Sequence, residues 1–488
     1  MNMQLQRYGK NTSGCLLMPL FLIPMFLFPY FFAGVHGARR GEAAQFSVPK
    51  YVFIFLADGG GIPHMEITRQ YNRLIHNEGL VITDKIIKEG TLGLMATHAA
   101  DTLSTDSAAA ATAMASGCKA NVGALGICAD GTVPKTVMEL AKQQGRRIGF
   151  VTTATVYDAS PAAFVSHVRN RRDYAAIVDG YLRFEPEVLF GGGRDQFLAH
   201  GEPGSRRKDG RNIIQAFRDK GYGYASTKEH LAQLKGRKAL GLFALEDMSF
   251  EIDRDDKVEP SLSDMTRAAI RVLEEDASRG FILFIENENI DTAGHFNDVA
   301  AMIRDYREFD RAVGLAYDFY RKYPGEVLII VTADHETGGL GFVQALKDLS
   351  STGAKNRLAA TTEDLKKLQS IRISLRKAAA ILGTHPTEAS VDRLMAEHFK
   401  GFVLAPEYKQ ALLKRQLLSR TNYIDPMAVA LGMMVANNTQ AYWLTTAHTN
   451  QPTMVASLGV GAEHFRGYLD NADFGKTLKA LLEGKQTH

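Results

Sequence analysis

Cysteine is scarce in this chain, with three residues in 488. So few cannot build a disulfide framework, and the fold has to rest on a buried core. A strong excess of either charge is also missing. Lys and Arg number 57 against 54 Asp and Glu, which leaves a formal net charge of +3 and argues against nucleic acid as a specific partner. No run beyond the N-terminal segment has the length to span a bilayer. Internal repeats and long low-complexity tracts are absent from the sequence. What is present is ordinary globular composition, 45% hydrophobic and 23% charged. The length suits one large α/β domain or two to three smaller ones.

The N-terminus departs from this pattern. "MNMQLQRYGK" carries Arg7 and Lys10 and no acid, and "CLLMPLFLIPMFLFPYFFAGVHGA" follows without charge. A basic start, an apolar middle and small residues near Gly34–Ala38 predict a signal peptide over residues 1–38, cut near Gly37 or Ala38. The alternative is a retained N-terminal membrane anchor, weakened by Pro19, Pro24 and Pro29. Either segment directs the chain out of the cytoplasm, to the periplasm, the cell surface or the extracellular space. Cys15 precedes the apolar run and is wrongly placed for lipid attachment after cleavage. Cys118 and Cys128 remain, either as a disulfide or as two separate buried thiols. Residues 39–488 read as a single domain.

From residue 50 onward, apolar runs alternate with helical stretches. "YVFIFLAD", "RIGFVTTAT", "EVLFGGG", "KALGLFAL", "GFILFIENEN", "EVLIIVTADHETGG", "YWLTTAHTN" and "TMVASLGVG" are read as strands. Near-continuous apolar strands predict an α/β fold with a mostly parallel central sheet and helices on both faces. Ligands in such sheets sit at the carboxyl ends of strands. Asp58, Glu286, Asp291, Asp334, His335 and His448 all fall at or just beyond strand ends. Residues about 344–440 are rich in Lys, Leu and Ala and read as a helical insertion, most simply a solvated bundle without a chemical role. Asn437 opens an Asn-Asn-Thr sequon, a weak signal by itself.

"STDSAAAATAMASGCKANVGALG" sets Ser107 before an alanine run that favours helix over Ala108–Ala115, with Asp106 as the N-cap. A hydroxyl there sits where helix N–H groups and the dipole favour negative charge. In "DTAGH", Asp291 and His295 share one face of a helical turn, and in "TADHE", Asp334 adjoins His335. Carboxylate oxygen and imidazole nitrogen are zinc donors. Two such clusters at neighbouring strand ends point to paired metals of the kind that serve phosphoryl transfer, and a nearby metal would make a serine hydroxyl a competent nucleophile.

These motifs, over residues about 50–344 and 441–484, resemble the alkaline phosphatase family. "DSAAAATAMASGCKANVGALG" resembles its nucleophile motif and implies Ser107 as the residue phosphorylated during turnover. "FLADGGG" implies Asp58 as a ligand shared by a zinc and a magnesium. "DASPAAFVSHVRNRRDY" implies Ser160 as a third-metal ligand and Arg171 as the phosphate grip, with Arg172 as the alternative. "IENENIDTAGH" implies Glu286 for magnesium and Asp291 and His295 for the first zinc. "VTADHETGG" implies Asp334 and His335 for the second zinc, and "TTAHTNQPTMVASLGVGAEHFRGYLDN" implies His448 as the last ligand of the first. The resemblance thus implies two Zn2+ and one Mg2+, small phosphate monoesters as substrates, a phosphoserine intermediate and a homodimer.

Several positions depart from the family pattern. Asp58 is followed by "GGGIPHM", where a methionine is common. Cys118 stands where valine is common, and His448 precedes Thr-Asn rather than Thr-Gly. Thr292 stands where some members carry a basic or aromatic residue. Asp158 is acidic, as in some branches, and either biases the third site to magnesium or is a loop acid. Glu288, Asn289 and His64 read as loop or supporting groups. A diesterase or sulfatase on the same fold, or a catalytically silent phosphate- or metal-binding protein, are the alternatives. The Asp106-Ser107-Ala108 motif and Arg171 favour monoesters.

Overall fold

The structure is a computed structural model that describes residues 47–346, 357–418 and 425–485. The signal peptide or anchor expected over 1–38 lies outside the described residues. The strands in chain order are β1 (Tyr51–Ala57), β2 (Thr91–Ala96), β3 (Arg147–Thr155), β4 (Val188–Gly192), β5 (Gly223–Ala225), β6 (Ala239–Leu242), β7 (Phe281–Asn287) and β8 (Val327–Thr332). Short strands follow: β9 (Glu336–Thr337), β10 (Gly341–Phe342), β11 (Gln344–Leu346), β12 (Arg357–Ala359), β13 (Ala441–Tyr442) and β14 (His448–Thr449). β15 (Thr453–Gly459) and β16 (Gly467–Asp470) close the set.

Ten strands form one sheet in the order β16-β2-β15-β8-β1-β7-β3-β4-β6-β5. β1 pairs parallel with both β7 and β8, and β3 pairs parallel with β7 and β4. β15 alone runs against its neighbours, β8 and β2. An antiparallel strand is as apolar as its parallel neighbours here, so the direction of "TMVASLGVG" is not readable from composition.

β1 shows why the sheet sits at the centre. All seven of its residues are buried. Tyr51, Phe53 and Phe55 enter one apolar cluster, with Phe309 and Phe319 of the helix Val299–Lys322. Val52, Ile54 and Leu56 enter the other, with Ala108, Ala111 and Met114 of the helix Ser107–Ser116. The period-two alternation of side chains thus feeds two cores, one on each face. Each large side chain so buried contributes roughly 1.5–3 kcal/mol.

The carboxyl ends of β7, β1 and β8 stand side by side, and β3 flanks β7. Asp58, Asp158, Glu286 and Asp334 therefore reach one edge. Gly59 turns the chain there at φ +66°, and a Cβ on it would fall 2.6 Å from Asp291 Oδ1. Only glycine meets both demands. Its N–H donates to Asp334 Oδ1 at 3.2 Å.

One strand expectation needs correction. "YWLTTAHTN" is not a continuous strand: Ala441–Tyr442 and His448–Thr449 pair in separate ladders. Between them the chain wraps Gly338, whose N–H donates to Ala447 O and whose O accepts from Leu444 and Thr445. β2, β5 and β16 add pairing that the apolar runs did not reveal. The described residues of 357–439 carry β12 and five helices: Thr362–Ser370, Leu375–Leu382, Glu388–His398, Pro406–Lys414 and Pro426–Thr439. Their apolar faces, including Leu365, Leu375 and Leu431, join the cluster that holds Phe53 and Phe55, so this segment is not merely a solvated bundle. Asn437 lies in the last of these helices with its amide engaged by Tyr408 and Tyr442.

Candidate active site

The nucleophile candidate is built by a short helix. Asp106 has extended backbone and its Oδ1 accepts from Ala109 N at 3.0 Å, which caps the helix Ser107–Ser116 as expected. Ser107 is the first helical residue and is buried. Its Oγ lies 3.2 Å from His335 Nε2.

His335 is the hub. Its Nε2 is 3.1 Å from Asp334 Oδ2 and 3.6 Å from Asp58 Oδ1. Its ring stacks on His448 with centroids 3.7 Å apart. His448 Nε2 lies 3.1 Å from His295 Nε2 and 3.7 Å from Asp291 Oδ1, and His295 Nε2 lies 3.1 Å from Asp291 Oδ2. Ser160 donates to Asp58 Oδ2 at 3.2 Å, and Thr152 donates to Glu286 Oε2 at 2.5 Å. Arg171 spans two carboxylates, with Nη1 3.2 Å from Asp106 Oδ2 and Nη2 3.1 Å from Asp158 Oδ1. All ten residues singled out from the sequence thus converge at one sheet edge. Arg172 does not: it is exposed, and its backbone N–H bonds Asn170.

Backbone carbonyls set the histidine tautomers. His448 Nδ1 meets Thr105 O at 2.8 Å and His295 Nδ1 meets Thr446 O at 2.6 Å. A carbonyl only accepts, so both Nδ1 atoms carry hydrogen. Their Nε2 atoms then face each other and Asp291, an arrangement that calls for a proton or a cation between them. The carboxylates make the same demand. Asp58 Oδ1, Glu286 Oε1 and Asp334 Oδ2 are buried without a hydrogen-bond donor among the described residues.

Among the described residues, two donor triplets lie with their ligand atoms within 4.8 Å of one another. Asp58, Asp334 and His335 match the expected second group. The other is Asp291, His335 and His448, so His335 touches both groups, with His295 alongside. The expected first group is Asp291, His295 and His448; here His335 also stands with Asp291 and His448, its ring stacked on that of His448.

Burial governs the charges. It pushes Asp58 well above the usual carboxylate range, reinforced by Asp334 and Asp291. Glu286 rises to about 8, first through burial and then through Asp158 and Asp334. Asp334 rises to about 7 through burial and Asp291. Burial opposes ionisation of Asp291 too, yet His295, His448 and His335 overrule it and hold that carboxyl far below its ordinary value. Burial, then His448, lowers the pKa of His335.

Some contributors were not legible as such. Glu288, read as a loop or supporting group, is pushed well up by burial and by Asp247 and Asp291, and one of its oxygens has no donor among the described residues. Its other oxygen accepts from Thr292 at 2.5 Å. His64 is buried, its pKa lowered to about 4 by burial, 3.8 Å from Glu336. Glu336 braces the loop that carries His448 by accepting from Thr449. "TADHETGG" displays Glu336, but only the β9–β14 pairing reveals what it holds.

With this geometry in place, the comparisons with known proteins are informative. The sequence profile of the family described as Alkaline phosphatase matches residues 49–484. "Alkaline phosphatase 4" of Bacillus subtilis is 31% identical over 446 residues, 89% of either chain. "Alkaline phosphatase" of Schizosaccharomyces pombe is 30% identical over 455 residues, 89% of this chain and 81% of its own. The crystal structure of Thermus thermophilus alkaline phosphatase superposes with a TM-score of 0.79 at 27% identity, covering 93% of this chain and 97% of that one. A profile that runs from the residue before Lys50 to the end of the last helix, over a sheet edge furnished with these acids and histidines, places the chain in the alkaline phosphatase family.

Proposed function

We propose that this chain is an exported homodimeric enzyme that hydrolyses small phosphate monoesters through a phosphoserine at Ser107. The observation that carries this reading is Ser107 Oγ, at the start of its helix, 3.2 Å from an imidazole that also touches Asp58 and Asp334. The donor chemistry fits metal ions, because Asp58, Glu286 and Asp334 each bury a carboxylate oxygen without a hydrogen-bond donor among the described residues, beside imidazoles of the kind that bind zinc. Asp291, His295 and His448 would hold one zinc, and Asp58, Asp334 and His335 a second. Asp58, Ser160 and Glu286, all oxygen donors, would hold a magnesium. When bound, these ions supply the positive charge that lowers the pKa of a hydroxyl or water and stabilises charge developing on oxygen.

The chain's own residues then have distinct tasks. Arg171 is permanently charged, because Asp158 and Asp106 outweigh the opposing effect of its burial. Its planar fork can take two phosphate oxygens at once. Its two carboxylate partners fix the fork beside Ser107 rather than leaving it to swing in solvent. Ser107 Oγ bonds to phosphorus as the alcohol departs. Water then attacks the phosphoserine, which frees phosphate and restores the hydroxyl. Export is supported by the uncharged N-terminal run and by the disulfide that joins Cys118 and Cys128.

The test is Ser107→Ala. Phosphate should still bind, while turnover of p-nitrophenyl phosphate falls by about a thousandfold or more, some 4 kcal/mol of barrier. Comparable turnover by the variant would sink the covalent route.

A further inference from the structure

Behind the nucleophile helix, Cys118 and Cys128 are joined by a disulfide that closes a loop of the chain. Cys118 follows Gly117, the residue that caps the C-terminus of the Ser107–Ser116 helix. The loop is bonded to the other end of the same helix as well. Gly123 N donates to both carboxylate oxygens of Asp106, at 3.2 Å each. Gly123 O accepts from the backbone N–H of Arg171 at 2.8 Å. Asp106 Oδ2 is also the acceptor for Arg171 Nη1 at 3.2 Å. One glycine therefore touches Arg171 directly through its backbone and indirectly through the carboxylate that orients its guanidinium. Leu125, two residues on, pairs with Val168 and ties the loop to the segment that leads into Arg171.

We propose that the Cys118–Cys128 loop is a positioning clamp for the phosphate grip, with Gly123 as its contact point and the disulfide as its lock. The proposal rests on Arg171 being that grip. Gly123 adopts φ +83°, a conformation that glycine reaches easily and other residues rarely do. A crosslink that restricts the loop keeps this turn, and so Asp106 and Arg171, in register. Substrate then meets a guanidinium already in place, and less freedom is lost on binding. Neither cysteine touches the reacting groups, so their role is positioning and not catalytic.

The experiment uses the metal-loaded full chain with Cys118→Ser and Cys128→Ser together. KM for p-nitrophenyl phosphate and the inhibition constant for inorganic phosphate should both rise about three- to tenfold, the equivalent of one well-placed hydrogen bond. The turnover number should change less, and zinc content should stay the same. In an Arg171→Ala background the same pair of substitutions should add nothing to either constant, because the clamped group is gone. Unchanged constants in the otherwise native chain, or an equal rise in both backgrounds, would overturn the clamp. If the paired serine variant does not fold, Gly123→Ala keeps the disulfide and meets no atom within 4 Å, so it perturbs only the backbone turn. It should raise the same two constants, and no change there also overturns the proposal. Arg171→Ala by itself separates the two readings. If it leaves phosphate inhibition unchanged, the grip assignment fails; if it weakens inhibition while the serine pair does not, only the clamp fails.

Discussion

On one side of Ser107, the carboxylates of Asp58, Glu286, Asp291 and Asp334 are buried beside His295, His335 and the half-buried His448, and none of their ion pairs involves a lysine or arginine among the described residues. On the other side, Arg171 is 26% exposed and lies between two carboxylates that neutralise it. The arginine wall is electrostatically complete as folded. The acid–histidine floor is not: Asp58, Glu286 and Asp334 each keep a buried oxygen without a hydrogen-bond donor among the described residues, which favours positive charge supplied by a bound ion. The two sides should therefore respond differently to substitution, pH and chelation.

The largest effect is expected at the hub. His335→Ala removes a donor that touches both triplets, so kcat/KM should fall by about a thousandfold or more, some 4 kcal/mol. Zinc content measured on the purified variant should fall with it; a variant that keeps full metal and activity would break the contrast. Next is the wall. Arg171→Ala should raise KM and the phosphate inhibition constant by about ten- to a hundredfold, as expected for charged hydrogen bonds, without loss of metal. Arg171→Lys should recover only part of this, because an ammonium cannot present a planar fork.

A third effect concerns pH. In chelated protein, Glu286 and Asp334 titrate near 8 and 7, above the values carboxyls have in an unfolded chain. These two carboxyls bind more protons in the folded than in the unfolded state between about pH 4 and pH 8, so their contribution to stability is greatest at the acid end and is lost as pH rises through that window. Thermal melts of chelated protein should drop by at least about 5 °C between about pH 5 and pH 8, and restored metal should abolish the drop. A melt that rises with pH in chelated protein would contradict the buried-acid picture. The smallest effect is expected on the helical segment. Lys409 pairs with Asp392 at 2.8 Å and Glu388 at 3.5 Å, both at exposed carboxylates. Lys409→Ala should cost no more than about 1 kcal/mol and leave kcat/KM unchanged.

The floor was easier to read in the sequence than the wall's supports. Apolar runs that end in Asp58, Glu286 and Asp334 announce both the strands and the edge they share, because parallel strands buried on two faces leave little room for acids elsewhere. Ser107 stood out through its cap and the alanine run behind it. The tautomers of His295 and His448 were hidden, since carbonyls of Thr446 and Thr105 set them and any residue supplies a carbonyl. β2 was missed because only two of its six residues are buried, which gives it no continuous apolar run. The wrap of residues 443–447 around Gly338 depends on a contact distant in sequence, and "YWLTTAHTN" looks like a strand without it. Cysteine spacing left the Cys118–Cys128 bond open, and only the folded loop closes it.

The most direct measurement is release of p-nitrophenol from its phosphate monoester between about pH 7 and pH 10, before and after chelation, with zinc and magnesium returned separately and together. The proposed serine nucleophile, above a floor of acids with no lysine or arginine ion pair among the described residues, predicts activity that disappears on chelation and returns in full only with both metals. Activity that survives complete chelation, or none in folded protein loaded with both metals, would contradict it.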